Sequence, residues 1–186
     1  MGVGRDDAAL KPAVFFDRDG VLNAAVVRDG KPYPPTVPEE LAIDSDAARV
    51  VADLRARGFM VVVVTNQPDV ARGTTTAAAV DAINERLRAA VGVDAVYTCV
   101  HDNQDGCACR KPKPGMLLRA ARELGLDLDA SYMVGDRWSD IEAGRRARCR
   151  TVWIERSYAE CSPVGHDAGV ASLTEAWRWI CDDSTR

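Results

Sequence analysis

The sequence predicts an α/β fold, a three-layer doubly wound sandwich with a central parallel sheet between two layers of helices. Short, nearly continuous apolar runs rich in β-branched residues indicate strands that are buried on both faces. Amphipathic segments separate these runs, and such alternation favours right-handed crossovers within one parallel sheet. Polar residues follow several of the runs, at the strand ends where ligands bind in open α/β sheets.

Four apolar runs are predicted as strands, and one further segment is a candidate strand. The four are "AVFF" (13–16), "MVVVVT" (60–65), "YMVGD" (132–136) and "RTVWI" (150–154), and the candidate is "AVYTCV" (95–100). The segment 23–38 follows the first strand, is rich in Gly and Pro and has no clear period. It is therefore expected to form a flap over the carboxyl end of that strand.

Helices are predicted where apolar residues recur at helical spacing between start and stop signals. Asp44 or Ser45 can cap the first helix, threonines precede the second, and Pro114 opens the third; the first three end at glycines. The predicted helices are "DSDAARVVADLRARG" (44–58), "TTTAAAVDAINERLRAAVG" (74–92), "PGMLLRAARELG" (114–125), "WSDIEAGRRA" (138–147) and "LTEAWRWICDD" (173–183).

Length, charge and composition narrow the class of protein. The 186 residues suit a single domain over 1–186, with a flexible leader over 1–12. A net charge of -4 without a basic stripe argues against a nucleic-acid partner, and no apolar run is long enough to span a bilayer. The acidic N-terminus does not resemble a signal peptide. We expect a cytoplasmic protein, a monomer, that acts on a small phosphorylated molecule.

Polar side chains cluster at three of the predicted strand ends. They are Asp17 and Asp19, then Thr65 and Asn66, then Asp136 and Asp140. A lone Asp-x-Asp after a strand is most often a turn or an N-cap. Its combination with the other two groups and with the isolated pair Arg110–Lys111 indicates a functional site instead.

Carboxylates as close as Asp17 and Asp19 repel each other and are costly to bury, so the pattern needs a compensating charge. Asp17 and Asp136 can supply oxygen ligands to Mg²⁺, which neutralises them and lets an anionic phosphoryl group approach. The Lys111 ammonium and the Thr65 hydroxyl would hold the remaining phosphoryl oxygens. The residues therefore predict magnesium-assisted phosphoryl chemistry.

Four motifs together resemble those of the haloacid dehalogenase superfamily and its aspartate-nucleophile phosphatases. They are "DRDG" (17–20), "TNQ" (65–67), Lys111 and "GDRWSD" (135–140). The further stretches "CVH" (99–101) and "CACRKPKPGM" (107–116) are similar to the small, uncapped branch that contains heptose 1,7-bisphosphate phosphatases and histidinol-phosphate phosphatases.

The resemblance implies a role for each acid. Asp17 would be the nucleophile that forms an aspartyl-phosphate. Asp19 would act first as general acid and then as general base, and would touch the metal through its backbone carbonyl. Asp140 would support the water shell of the metal or cap the helix that follows it, and Arg18 is expected to point away from the site.

The resemblance also implies a substrate, with two alternatives. One is removal of the C7 phosphate of D-glycero-D-manno-heptose 1,7-bisphosphate; the other is hydrolysis of histidinol phosphate, which the short loop between His101 and Cys107 favours. Arg110 would contact the part of the substrate beyond the transferred phosphate, and Asn66 would also contact the substrate. Arg28 in the flap could reach the substrate or be a solvated loop charge.

A zinc site is predicted from four residues of the segment 99–109. Cys99, His101, Cys107 and Cys109 form two pairs with the spacing of a tetrahedral site. Because protein ligands take all four positions, we expect a structural zinc that orders the loop and aims Arg110 and Lys111, rather than a catalytic one. Thiols without a metal on a surface loop are the alternative.

Overall fold

The computed structural model describes residues 9–185. Within this range the chain forms eight strands, five α-helices and two 3₁₀ helices, the latter at Pro38–Glu40 and Asn103–Asp105. The strands are β1 (Lys11–Phe16), β2 (Val26–Arg28), β3 (Lys31–Tyr33), β4 (Met60–Asn66), β5 (Ala95–Cys99), β6 (Leu126–Gly135), β7 (Arg150–Ile154) and β8 (Ala168–Val170). The α-helices are α1 (Ala47–Ala56), α2 (Ala77–Val91), α3 (Gly115–Leu124), α4 (Trp138–Arg146) and α5 (Leu173–Asp183).

Six of the described strands form one sheet in the order β5-β4-β1-β6-β7-β8, and all neighbours are parallel. The order runs outward from β1 in both directions, with β4 and β5 on one side and the later strands on the other. Such a reversal opens a crevice beyond the carboxyl ends of the central strands. The predicted fold class, a parallel sheet between helical layers, is confirmed.

The sheet separates two hydrophobic layers. Successive residues of a strand point to opposite faces, so Val14 and Phe16 of β1 pack with α1, α2 and α5, whereas Ala13 and Phe15 pack with α3 and α4. All four side chains are fully buried. Burial on both faces explains why the strands read as continuous apolar runs rather than alternating ones.

The predicted strands are present, and β7 has the predicted bounds. The predicted start of β6 at Tyr132 was wrong, because the strand begins six residues earlier, at Leu126. Its first half, "LDLDAS", has the alternating polarity of an edge, and it pairs with Lys11 and Pro12 before a register shift leads into the buried half. The short strand β8 was not predicted.

The flap segment contains a hairpin that the sequence analysis did not predict. Strands β2 and β3 pair antiparallel, with Val26 opposite Tyr33. The connecting residues Asp29 and Gly30 both have positive φ, at 49° and 72°. An Asp-Gly pair between two short strand-forming segments is a strong signal for this kind of hairpin turn. The sequence contains this signal at Asp29–Gly30, so the hairpin could have been predicted.

The N-terminal prediction is partly corrected. Residues 1–8 of the predicted leader lie outside the described residues, but Lys11 and Pro12 belong to β1, so the leader cannot extend to residue 12 as a flexible segment. The assignment of the whole chain to a single domain stays a prediction. None of the helices in the described range is both long and apolar enough to cross a lipid bilayer.

Gly144 allows α4 to approach the sheet closely, and we expect Gly144→Ala to destabilise the fold. An added Cβ would lie 2.7 Å from Met133 Cβ and 2.8 Å from Thr151 Cγ2. Overpacking of this kind costs about 1–3 kcal/mol, more than the roughly 0.5–1 kcal/mol that alanine gains over glycine in an open helix. Urea unfolding should therefore show a lower free energy of unfolding.

The exposed Arg145 on the same helix provides the control for this prediction. Arg145→Ala should change the free energy of unfolding by less than about 0.5 kcal/mol. A Gly144→Ala protein as stable as the parent, or more stable, would contradict the close packing of α4.

Candidate active site

The parallel register brings the predicted site residues to one edge of the sheet. Phe16 at the end of β1 lies opposite Val63 of β4 and Val134 of β6. The residues that follow these positions therefore meet beyond the central strands. A cleft at this edge is lined by Asp17, Asp19, Pro32, Tyr33, Pro34, Asn66, Lys111, Arg137, Ser139 and Asp140.

Lys111 lies at the centre of this edge and is almost fully buried. Its Nζ lies 2.9 Å from Asp17 Oδ1 and 2.7 Å from Asp140 Oδ1, and it donates a hydrogen bond to the Val64 carbonyl at 2.7 Å. Burial disfavours the ammonium, but the carboxylates of Asp140 and Asp17 outweigh it and raise the pKa of Lys111. The lysine is thus a fixed positive charge among acids.

Three buried carboxylates, those of Asp17, Asp136 and Asp140, have oxygens within 4.8 Å of one another. Burial raises the pKa of Asp17 to about 6, with Asp140 adding to the rise and Lys111 opposing it. Burial and the Asp17 carboxylate also raise the pKa of Asp136 well above its usual range. One lysine cannot offset this much negative charge, so the site favours a bound cation.

The donor set fits magnesium in particular. The buried Oδ1 of Asp136 has no hydrogen-bond partner among residues 9–185. An unpaired carboxylate oxygen is costly to bury and is the hard ligand that Mg²⁺ takes. Asp17 and Asp136 could hold the ion, together with the backbone carbonyl of Asp19.

Asp19 is held by side chains on several sides. Arg18 donates from Nε to Asp19 Oδ1 at 3.1 Å and from Nη2 to Oδ2 at 3.0 Å, while Asn23 and Gln67 donate at 3.0 Å and 2.8 Å. Arg18 is fully buried and is anchored in turn by Asn84 Oδ1 at 2.8 Å. The expectation that Arg18 points away from the site is therefore wrong, since its guanidinium grips one of the site carboxylates.

Thr65 and Asn66 are the last two residues of β4. The Thr65 hydroxyl is buried and accepts a hydrogen bond from Gln67 Nε2 at 2.8 Å. The Asn66 amide accepts from the Lys111 backbone N–H and donates to the Lys111 carbonyl, both at 3.1 Å. Asn66 lines the cleft, but its amide also fixes the backbone that carries Lys111. Substrate contact by Asn66 stays a prediction.

The hairpin lies over the cleft as the flap prediction anticipated. Pro32, Tyr33 and Pro34 line the cleft, whereas the exposed Arg28 lies over the Tyr33 ring, 5.8 Å from its centroid. Arg28 is not among the described residues that line the cleft. Substrate contact by Arg28 stays a prediction.

The four predicted zinc ligands come together. Cys99 Sγ lies 3.7 Å from Cys107 Sγ and 3.2 Å from Cys109 Sγ, and His101 Nδ1 lies 3.4 Å from Cys109 Sγ. None of these cysteines forms a disulfide within the described range. Three thiols and one imidazole converging on one point suit a tetrahedral zinc without an open position.

Two arginines fasten the loop that carries this cluster. Arg72 makes a two-pronged contact with Asp102, at 2.9 Å and 2.8 Å. Arg110 donates to Asn103 Oδ1 at 2.8 Å and to the His101 carbonyl at 3.3 Å. The orientation of Arg110 therefore depends on the backbone around His101.

The sequence analysis missed the loop at 155–163 and the residue next to Asp136. Arg137 lines the cleft and pairs with Glu160, whose Oε2 accepts a hydrogen bond at 2.9 Å. Tyr158 donates its hydroxyl hydrogen to Asp136 Oδ2 at 2.8 Å. The adjacency of Arg137 to Asp136 was a usable signal, but no pattern in the loop indicated a return to the site.

Comparisons with known proteins show which proteins the chain is similar to. Residues 35–148 match the family model described as haloacid dehalogenase-like hydrolase. The chain is 38% identical over 147 residues to the D-glycero-beta-D-manno-heptose-1,7-bisphosphate 7-phosphatase of Pseudomonas aeruginosa, covering 76% of this chain and 80% of the relative. It is 37% identical over 171 residues to the protein of the same name from Escherichia coli strain K12, covering 84% and 85%.

A solved structure provides the same link at the level of the fold. The D,D-heptose 1.7-bisphosphate phosphatase of B. bronchiseptica, crystallised with magnesium and phosphate, superposes with a TM-score of 0.79 at 29% identity, over 92% of this chain and 99% of that one. The sheet order, the acids beyond the central strands and the match to the family model lead to one conclusion: the chain belongs to the haloacid dehalogenase-like hydrolase family.

Proposed function

We propose that this protein is a magnesium-dependent phosphatase that removes the C7 phosphate of D-glycero-D-manno-heptose 1,7-bisphosphate through an aspartyl-phosphate. The observation that carries the proposal is Lys111, buried between Asp17 and Asp140 at the cleft. The names of the relatives give the substrate. A cytoplasmic location and a monomeric state belong to the proposal as predictions from the sequence.

The chemistry follows from the positions of the two aspartates. Bound by Asp17, Asp136 and the Asp19 carbonyl, Mg²⁺ would supply the positive charge that lets a phosphoryl group approach a carboxylate. Asp17 attacks phosphorus and the bond to the sugar oxygen breaks, while Asp19 donates a proton to that oxygen. Asp19 then takes a proton from a water that attacks the phosphorus, which releases phosphate and restores Asp17.

The surrounding residues position the reacting groups. Lys111 and the Thr65 hydroxyl hold phosphoryl oxygens, where negative charge accumulates in the transition state. Asp140 Oδ1 lies 2.7 Å from Lys111 Nζ and keeps this ammonium in place beside Asp17. Arg18 and its neighbours fix the Asp19 carboxylate at the cleft.

A basic cavity beside the cleft favours a bisphosphate over histidinol phosphate. This cavity has a volume of about 160 Å³ and borders Lys111. Among the described residues, its lining includes the cations of Arg110, Lys113 and Arg146, and Asp102 is the one acidic residue in it. A second phosphate suits these cations, and an arginine fork binds it well. Histidinol phosphate would instead bring an ammonium group, which the same cations repel.

Zinc, held by Cys99, His101, Cys107 and Cys109, is proposed as a structural ion. The zinc-binding free energy of small zinc peptides, about 10–16 kcal/mol, is far larger than a short solvated loop could obtain from packing. Ordering this loop fixes the His101 carbonyl and thereby Arg110, which donates to it. The zinc therefore contributes to substrate binding rather than to the chemical step.

Steady-state rates on a substrate panel test the function. The panel contains both anomers of heptose 1,7-bisphosphate, histidinol phosphate and an oligonucleotide 3′-phosphate, and we expect the highest kcat/KM for a heptose bisphosphate. Asp17→Asn removes the nucleophile with little change in shape and should lower kcat by at least about 10³-fold. Preference for histidinol phosphate would overturn the substrate, and activity that survives Asp17→Asn would overturn the mechanism.

Arg110→Ala should weaken the preference for a second phosphate. A hydrogen bond to a charged group contributes about 1.5–3 kcal/mol, so kcat/KM for the bisphosphate should fall about tenfold or more. The rate on heptose 7-phosphate should change much less, because that substrate lacks the second phosphate. Arg110→Lys keeps the positive charge but not the two-pronged guanidinium, so its kcat/KM for the bisphosphate should lie between those of the parent and of Arg110→Ala. An equal loss on both substrates would exclude this role.

Cys107→Ala should release zinc and raise KM. Elemental analysis should give less than one zinc per chain, and KM should rise more than kcat falls, since Lys111 is also held by Asn66 and by two acids. Cys161→Ala, which changes an exposed thiol outside the cluster, is the control. Unchanged zinc content and kinetics in the Cys107 variant would remove the zinc loop from the proposal.

A further inference from the structure

The loop after β7 reaches back to the metal-binding acids. We propose that Tyr158 is a positioning residue for magnesium: its phenol binds one oxygen of Asp136 and so leaves the other oxygen for the ion. This inference rests on the proposed function only for the identity of the metal. Tyr158 makes no contact with the transferred phosphate in this role.

The two oxygens of the Asp136 carboxylate have different surroundings. Oδ2 accepts the hydrogen bond from the Tyr158 hydroxyl at 2.8 Å, whereas the buried Oδ1 has no partner in the described part of the chain. The Trp153 indole N–H also donates to the Asp136 carbonyl, at 3.3 Å. Backbone and side chain are thus both fixed, and Oδ1 remains for a cation.

The Tyr158 hydroxyl lies within hydrogen-bond distance of the Asp136 carboxylate, which can only accept a hydrogen bond when it is ionised. Hydrogen bonds between a hydroxyl and a carboxylate are among the stronger ones in proteins, and groups that orient a metal ligand in this way commonly change metal affinity about 10–100-fold when they are removed.

Hydrogen bonds of Arg156 hold the loop 155–163 close to Asp136. Arg156 donates from Nε to the Gly20 carbonyl at 3.1 Å and from Nη1 to the Ala171 carbonyl at 3.0 Å. The Tyr158 N–H in turn donates to the Arg156 carbonyl at 2.8 Å. The bond to Gly20 joins the loop to the turn that contains Asp19, and the bond to Ala171 joins it to the segment after β8.

Gly20 completes the pocket for the Asp136 carboxylate. A Cβ at this position would lie 1.8 Å from Asp136 Oδ2 and 2.7 Å from the Tyr158 hydroxyl. The φ of Gly20 is +88°, a value that side-chain-bearing residues rarely adopt. Glycine at position 20 is therefore what allows the phenol and the carboxylate to meet.

Tyr158→Phe removes the hydroxyl and keeps the ring, so the fold should be retained. Calorimetric titration of the magnesium-free protein, with its zinc retained, should show MgCl₂ binding weakened by about 10-fold or more. The Mg²⁺ concentration that gives half-maximal activity should rise in parallel, and added Mg²⁺ should recover the activity. Tyr97→Phe is the matched control, because that half-buried phenol donates to the Glu123 carboxylate at 2.9 Å, away from the cleft.

Three outcomes would overturn the inference: magnesium affinity within twofold of the parent in Tyr158→Phe, a loss of activity that added Mg²⁺ does not recover, or no magnesium binding by the parent protein. Weaker magnesium binding in Tyr158→Phe but not in Tyr97→Phe would support it, even if the parent fails to hydrolyse heptose bisphosphate. That last result would overturn the proposed substrate alone, because the titration needs no turnover.

Discussion

Buried negative charge is the constraint on which this site depends. Asp17, Asp136 and Asp140 lie together out of water, and Lys111 supplies one compensating positive charge among them. Asp140 and Asp17 both contact the lysine, and burial together with these two carboxylates raises the pKa of Asp136 well above the usual range. Three carboxylates against one ammonium leave two formal negative charges uncompensated, and such a cluster attracts a divalent cation first and an anionic phosphoryl group after it.

The fold tolerates this concentration of buried charge because its main strands are already buried on both faces. Two apolar layers secure β1, β4 and β6, so the sheet fixes the backbone at the ends of these strands, and contacts among the polar side chains then orient them. Glycine and close packing then adjust the distances: Gly144 lets α4 approach the sheet, and α4 carries Asp140 in its first turn. Stability and site geometry therefore come from the same contacts.

Sequence reasoning recovers what local pattern encodes. Continuous apolar runs revealed the central strands, and the acids after them marked the site, because parallel strands end at one edge. Sequence reasoning failed where strand pairing, or a contact between residues far apart in the chain, decides the structure. The polar start of β6 becomes a strand through its pairing with Lys11 and Pro12. Arg18 sits between two acids, yet only the fold brings Asn84 to it. Tyr158 reaches Asp136 from 22 positions away.

Among the described residues, the β2–β3 hairpin and the ends of the central strands line the cleft, and this shapes what it can accept. The hairpin covers one side, and the Ala159 N–H bonds the Gly30 carbonyl at 2.8 Å, which ties the hairpin turn to the loop that carries Tyr158. The segment 102–113, which includes part of the Cys/His cluster, lines the basic cavity, and this cavity shares Lys111 with the cleft. We infer that selectivity comes from the cations of this cavity, which suit a small substrate with two phosphates better than one with a single phosphate.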